Sequence, residues 1–424
     1  MTARYVVVSA ARPRSSWFVH VAQWANTGAL PIDFVKCVSP DEVVMKAKGT
    51  RAFSAALLDG GMAGLDRDVF ANLRENGVAV IVVNDPRVTR DWRALGAQAV
   101  LDTDLTKAEL LDALVDHSDL VPDGVLPIDE LPEINAAMSP IRGTIVAVVG
   151  SGGTGSTTVA MALAEGFGRH FGTKGQTVLG DFCLRAELAM LHDTQHISPG
   201  LQELADAHRL ATPKPEQVRD MCFDVAGRSY DLLIGLRRRR LWTTVRPAAC
   251  TQALHGLADT YSAVVLDTDD DFEGEAETGS TDVEDRNFLA RTAIAHADHV
   301  IAVGHASLKG LHGLCRVIAE LREFGVSPSN IHPVLNFAPK SARTRAGYTR
   351  ALADLLGNDL QVAPPLFISF QPVDDSVRAV APLPDGVVRP VTSLIPRFER
   401  DPVARRGPRF ERITPGFLRR TATE

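Results

Sequence analysis

The sequence predicts an α/β protein of two domains in series, each a parallel sheet clothed by helices, the second of them doubly wound. Three observations carry this. Short apolar runs of strand length alternate with helix-length segments over residues 4–116 and again over 143–369. A stretch holding Pro122, Pro127, Pro132 and Pro140 among acidic residues separates the two rhythms. A knot of glycines at 150–155 joins the first strand of the second rhythm to a helix.

In the first unit, residues 1–117, strands are expected at 4–9, 31–38, 55–59, 79–83 and 98–101. Helices are expected at 15–26, 40–47, 65–74, 87–95 and 106–116. Residues 118–141 form the linker, with one short helix near Ile128–Met138. The second unit, 142–380, is expected to place strands at 143–149, 176–181, 229–235, 261–268, 298–304, 331–336 and 365–369. Its helices are expected at 156–168, 185–193, 216–226, 247–258, 286–296, 308–324 and 343–355. Such a sheet binds its ligand at the carboxyl ends of its strands. Residues 381–424 lack a long periodic run and carry Arg397, Arg400, Arg405, Arg406, Arg409, Arg412, Arg419 and Arg420. A basic tail ordered only in part is the expectation.

Composition narrows the function class. With 424 residues and 45% hydrophobic content the chain can bury two cores, and a formal charge of -7 gives no global basic field for nucleic acid. Cys37, Cys183, Cys222, Cys250 and Cys315 form no close pair and no metal-ligand spacing, which suits a reduced, cytoplasmic compartment. The opening Met-Thr-Ala-Arg-Tyr-Val-Val-Val has no signal-peptide pattern, and no run of 18 apolar residues occurs to cross a membrane. Ile413 to Arg420 is short and broken by Pro415 and Gly416, so membrane contact is at most peripheral.

The chemistry concentrates in the glycine knot. Gly150 and Gly155 keep the spacing of G-x-x-x-x-G-K-[ST], and Thr157 stands at the magnesium hydroxyl. Ser156 stands where the lysine belongs. Backbone N–H groups from Gly152 through Gly153, Thr154, Gly155 and Ser156 to Thr158, at a helix N-terminus, form an anion nest that needs no side-chain charge. Hydrolysis asks for more. Losing one preorganised donor at a transferring phosphoryl group costs about 3 kcal/mol, on the order of 10²-fold in rate. No catalytic residue is assigned; Arg185, the run Arg237 to Arg240, or a partner would have to supply the charge.

Two strand-end carboxylates accompany the loop. Asp181 closes the run Val178-Leu179-Gly180, and either contacts Mg2+ through water or caps the next helix. Asp267 closes Tyr261–Leu266 in the Walker B manner and is assigned to the magnesium side. The segment Phe272 to Glu284 is rich in acid, Gly, Ser and Thr. Its candidate counter-charge is Arg237 to Arg240, with Arg246 nearby, and a solvated face is the alternative for either run.

On these residues the chain resembles the MinD/ParA family of deviant Walker ATPases. More particularly it resembles the CpaE-like branch that positions tight-adherence pilus or type II secretion machinery, in which a receiver-like domain precedes a P-loop NTPase-like domain. Ser151-Gly152-Gly153-Thr154-Gly155-Ser156-Thr157-Thr158 matches the family's K-G-G-x-G-K-[ST]-[ST] except at both lysines. Asp181 matches the first carboxylate of the family's Asp-x-Asp, and Cys183 replaces the second, which positions the attacking water. The resemblance further implies that Asn336 reads the adenine edge, with capping of the next segment as its alternative, and that Gln371 and Pro372, in Phe370–Asp374, line the base pocket. The implied cofactors are ATP or ADP with Mg2+, held by Thr157, Asp181 and Asp267; the implied assembly is a homodimer.

The first unit is similar to a response-regulator receiver, with Asp59 at the phosphoacceptor place. Ser9-Ala10-Ala11 replaces the expected acidic pair, Asn84 stands near the switch hydroxyl, and Leu101-Asp102 lacks the expected lysine. Phosphorylation of Asp59 is therefore not expected, and this unit is expected to dock a partner instead. The leading function is a nucleotide-binding localisation or assembly switch for a polar cell-envelope, pilus or secretion machine, weakly or not hydrolysing. The alternatives are an active ATPase with arginines in place of the lysines, and a partition protein holding DNA through the tail, which the acidic total disfavours.

Overall fold

The computed structural model describes residues 4–12, 15–26, 29–49, 51–121, 142–194, 196–357, 362–371 and 382–398. The chain divides into two compact units. One comprises Met1–Pro140 with Ala205–Lys214 and Arg246–Ala253; the other comprises Ile141–Leu204, Pro215–Val245 and Leu254–Glu424.

The first unit holds β1 (Tyr5–Ala10), α1 (Ser16–Asn26), β2 (Ile32–Cys37), α2 (Pro40–Ala47), β3 (Ala55–Asp59), α3 (Arg67–Glu75), β4 (Ala79–Val83), α4 (Trp92–Leu95), β5 (Ala99–Leu101) and α5 (Lys107–His117). Its five strands are parallel in the order β2-β1-β3-β4-β5. Every residue of β1, β3 and β4 is buried, as continuous Val, Leu, Ile and Ala runs require when helices cover both faces. Ser39, Asp66 and Thr106 cap α2, α3 and α5, so polar residues fix where each helix begins. Expectation and structure agree closely here except at 87–95, where only Trp92–Leu95 is helical. Asp91 is its cap, its side chain accepting from Ala94 N–H.

The second unit runs β6 (Thr144–Gly150), α6 (Ser156–Phe171), β7 (Thr177–Phe182), α7 (Leu188–Leu191), α8 (Leu201–Leu210), α9 (Pro215–Arg219), β8 (Phe223–Asp224), β9 (Asp231–Leu233), α10 (Pro247–Thr260), β10 (Ala263–Thr268), α11 (Glu275–Thr278), α12 (Thr281–His296), β11 (His299–His305), α13 (Leu308–Glu323), β12 (Ile331–Ala338), α14 (Ala342–Leu356), β13 (Leu366–Ser369), α15 (Asp385–Thr392) and α16 (Ile395–Phe398). Helices α8 and α10 cross the division between the units. The eight strands order as β13-β12-β11-β6-β10-β7-β9-β8, with β8 alone antiparallel. The chain leaves β6 to one side for β7 and β10, then returns to its other side for β11. The switch point therefore falls at the carboxyl end of β6, which is where the glycine knot lies.

Three expectations need correction. The helix expected at 216–226 ends at Arg219, because Phe223 and Asp224 pair with β9 as a short strand. Helix α8 was not expected. The segment 381–424 does not begin as a tail. Leu383, Val387, Val388, Val391, Leu394, Ile395 and Phe398 are buried in the core around α6. Gly166 lets α6 approach α15 closely, since a Cβ there would stand 2.5 Å from the Thr392 hydroxyl. The expected helix near Ile128–Met138 and the arginines from Arg400 onward lie outside the described residues.

Candidate functional site

The loop Gly150–Thr158 turns through two left-handed glycines, Gly153 at φ 83° and Gly155 at φ 80°, conformations that a Cβ opposes. Ser151 O accepts from both the Thr154 N–H, at 3.1 Å, and the Thr154 hydroxyl, at 2.8 Å, and so closes the turn. Gly155 is the N-cap of α6 without a side-chain cap bond. The N–H groups of Gly152, Gly153, Gly155, Ser156, Thr157 and Thr158 find no protein acceptor among the described residues. A row of open N–H groups at the start of a 16-residue helix is the arrangement that holds an anion.

Asn336, at the carboxyl end of β12, was expected at an adenine edge. The structure shows it bracing the phosphate loop. It is 7% exposed; its Nδ2 donates to Thr154 O at 2.9 Å, and its Oδ1 accepts from Phe337 N–H at 2.9 Å. The amide braces the loop with one of its two N–H donors and one lone pair of its oxygen. Phe337, held at φ 55°, lays its ring on His305 with centroids 5.0 Å apart and has Phe370 6.1 Å away. Gln371 packs on Gly386 of α15, where a Cβ would stand 2.8 Å from its Nε2. Pro372 lies outside the described residues.

On the other flank β6, β10 and β7 end in register, which puts Asp267 beside both Val148 and Asp181. Thr157 lies against the Asp267 carboxyl, which is 3% exposed. Burial, then the neighbouring Asp181, pushes the Asp267 carboxyl well above the usual range, with Thr157 opposing. Asp181 is fully buried, and its carboxyl is pushed up to about 6 by burial. Its Oδ1 accepts from Cys183 N–H at 3.2 Å and its Oδ2 from Leu188 N–H at 3.0 Å, so it braces the turn into α7. Asp269 accepts from Leu184 N–H at 2.7 Å and is likewise raised, chiefly by burial. Burial and these carboxylates keep the Cys183 thiol protonated, which makes it no base.

Among the described residues no group of three or more His, Cys, Asp and Glu is placed to hold a metal. Mg2+ fits all the same. That ion is commonly held through one or two protein oxygens plus phosphates and water, and Thr157 with Asp267 would supply such a pair. Buried carboxylates with raised proton affinity mark a place short of positive charge. Gly150, Ser151, Ser156 and Thr158 lie in the loop as expected, with the Ser151 hydroxyl buried and unpartnered.

The arginines are placed differently from expectation. Arg237 pairs with Glu203 at 2.7 Å, and Arg185 and Arg238 to Arg240 are exposed. Of this run, Arg239 acts on Asp269. The acidic segment finds its counter-charge later in the chain. Arg316 faces Asp270 at 3.7 Å, Arg286 faces Asp271 at 3.6 Å, and Arg291 binds Phe272 O at 2.6 Å and Glu284 at 3.5 Å. Those partners sit on α12 and α13, where the acid-to-arginine spacing in sequence gives no signal.

Fold and loop together define a parallel α/β architecture of the P-loop NTPase type. No protein-family model and no curated protein matches the sequence. Solved structures similar to the chain include a ParA family ATPase from Chlorobium tepidum TLS, at 16% identity over 61% of this chain and 94% of that one, TM-score 0.44. A putative plasmid partition protein from Borrelia burgdorferi B31 bound to AMPPNP matches at 13% identity over 60% and 99%, TM-score 0.41. The septum site-determining protein MinD from Pyrococcus horikoshii OT3, complexed with Mg-ADP, matches at 18% over 61% and 89%, TM-score 0.39. No helix among the described residues is long and apolar enough to cross a membrane.

Proposed function

We propose that the chain is a nucleotide-binding localisation or assembly switch that holds ATP or ADP with Mg2+ and turns it over slowly or not at all. The observation that supports this is a phosphate loop complete in its backbone and lacking side-chain cations. Its N–H groups are open, Thr157 lies beside Asp267, and serine stands at both lysine places. Backbone donors suffice to bind a polyphosphate. Transition-state charge goes unanswered, and Cys183 cannot position water as a carboxylate does. The residues of the site are Gly150 to Thr158 for phosphate, with Thr157 and Asp267 for Mg2+.

A switch needs only unequal affinity for two states, so occupancy without turnover can drive assembly, including that of a homodimer. The first unit would dock the partner, of the pilus, secretion or other polar envelope kind. Calorimetric titration of the full chain with ATP, ADP and GTP, in Mg2+ and in EDTA, paired with light scattering and phosphate release, tests the reading. Expected are Mg2+-dependent binding and negligible release. Rapid turnover abolished by Arg239→Ala supports the relocated-arginine ATPase instead, and absence of any binding ends both.

A further inference from the structure

In the first unit, Asp59 at the carboxyl end of β3 and Asp85 just beyond β4 are 1% and 3% exposed at their side chains. Two buried carboxylates at the carboxyl edge of a parallel sheet form, by donor chemistry alone, a place for a divalent cation. Arg12 fills it. Its Nη2 lies 2.8 Å from Asp59 Oδ1, its Nε lies 3.1 Å from both Asp59 oxygens, and its Nη1 pairs with Asp85. Arg87 binds Asp85 from the solvent side at 2.9 Å. The remaining Asp59 lone pairs accept from Ser15 Oγ at 2.6 Å, Gly61 N–H at 2.9 Å and Arg12 N–H at 3.2 Å. Every acceptor site of Asp59 is engaged.

The surroundings are shaped to the guanidinium. A Cβ at Gly61 would stand 2.0 Å from the Arg12 Cζ. Ser9 turns its hydroxyl away to Leu57 O at 2.6 Å, and Asn84 accepts from the Trp92 indole at 3.2 Å. Burial alone would raise Asp59, yet Arg12, Ser15 and Gly61 hold its carboxyl below its ordinary value.

We propose that Arg12 is the resident cation of this unit: it occupies the position a divalent metal would need between Asp59 and Asp85, and it bars Asp59 from accepting a phosphoryl group. The unit is thereby fixed in one state whatever the supply of Mg2+ or phosphoryl donor, and an otherwise competent cation site lies masked beneath one side chain.

The test is a Mn2+ titration of the full chain in an Asp267→Asn background, which silences the loop domain. Tryptophan fluorescence reports on Trp17, which lines the same depression as Arg12 and Asp85, and thermal melting is followed in parallel. Without Arg12→Ala, Mn2+ to 10 mM changes neither signal. With it, the melting temperature falls in EDTA, rises by about 4 °C or more in Mn2+, and loses that rise when Asp59→Asn is added. Should Arg12→Ala not fold, Gly61→Ala, which displaces the guanidinium, must show the same Asp59-dependent response. A folded variant without that response overturns the proposal. So does an Asp59-dependent Mn2+ response, or hydroxylamine-sensitive phosphate on Asp59 from acetyl phosphate, with Arg12 in place.

Discussion

Asn336 and Thr154 lie 182 positions apart in sequence, yet a single buried bond of 2.9 Å from Asn336 Nδ2 to Thr154 O ties the end of β12 to the phosphate loop. Gly155 makes that approach possible, because a Cβ there would stand 2.5 Å from the same nitrogen. Asn336→Ala leaves the Thr154 carbonyl buried without a partner, at a cost of about 1–3 kcal/mol. The expected result is a lower melting temperature and a larger proportional loss of ATP affinity, because the loop loses its preset shape. Unchanged calorimetric affinity in a folded Asn336→Ala variant means that the loop holds its shape without this bond.

Ser156→Lys restores a cation where the motif expects one, at the first turn of α6. Affinity for ATP is expected to rise by about tenfold or more, since charge-assisted bonds to phosphate are the stronger kind. Its dependence on Mg2+ should weaken in step. Phosphate release should stay near background, because Cys183 still lacks the acceptor needed to orient water. A variant that gains brisk turnover from this one change shows that the lysine alone was limiting.

Phe398→Ala probes the segment that composition misread. Phe398 is 2% exposed, with ring centroids 6.1 Å from Phe167, 4.7 Å from His299 and 5.1 Å from His332. Truncating such a ring costs about 3–5 kcal/mol, and the loss falls on the rear of α6, whose front end is the loop. Denaturant melts should show it directly; a shift below about 1 kcal/mol would falsify the packing described here.

Periodicity carried most of the fold. Buried parallel strands read as unbroken apolar runs, so β3 and β4 fall where the sequence puts them, and Ser39, Asp66 and Thr106 mark helix starts by chemistry that needs no tertiary context. The loop was legible for the same reason, being local. What the sequence left open were choices settled between distant segments. Asp181 was open between metal and cap, and only the fold brings the Cys183 and Leu188 N–H groups to it. Asn336 has a side chain that suits a base edge and a loop brace equally, and only the fold brings Thr154 to it. Val387, Val388 and Val391 looked like part of a proline-broken tail because an eight-residue helix holding Pro390 is too short to show a long periodic run. Arg12 gave no sign of its partners, since 47 residues separate it from Asp59.

The carboxylates around the loop make stability and ligand binding oppose each other, and pH separates the two. Burial pushes Asp181 up to about 6 and raises Asp267 and Asp269 as well, while in the unfolded chain they titrate near 3.9. Through that window the folded chain holds protons that the unfolded chain has released. These groups therefore stabilise the ligand-free fold most below about pH 4, and that contribution is lost as pH rises through about 6 and beyond. Asp68 in the first unit, also raised to about 6, adds to the same slope. His192, His208 and His332, which burial lowers to about 4, 4 and 3, oppose this slope below about pH 6.5, so the carboxylate contribution is read in EDTA as the gap between Asp267→Asn and wild type, which should be larger at pH 8 than at pH 5.5. Mg-nucleotide binds the ionised forms, so its stabilising shift should be largest at pH 8. Asp267→Asn keeps an acceptor for Thr157 while removing the charge. It should melt higher than wild type at pH 8 in EDTA, show a shallower pH slope, and lose the Mg-nucleotide shift. If Asp267→Asn melts lower than wild type in EDTA at pH 8 yet keeps its response to Mg-ATP, the metal side of the site lies elsewhere.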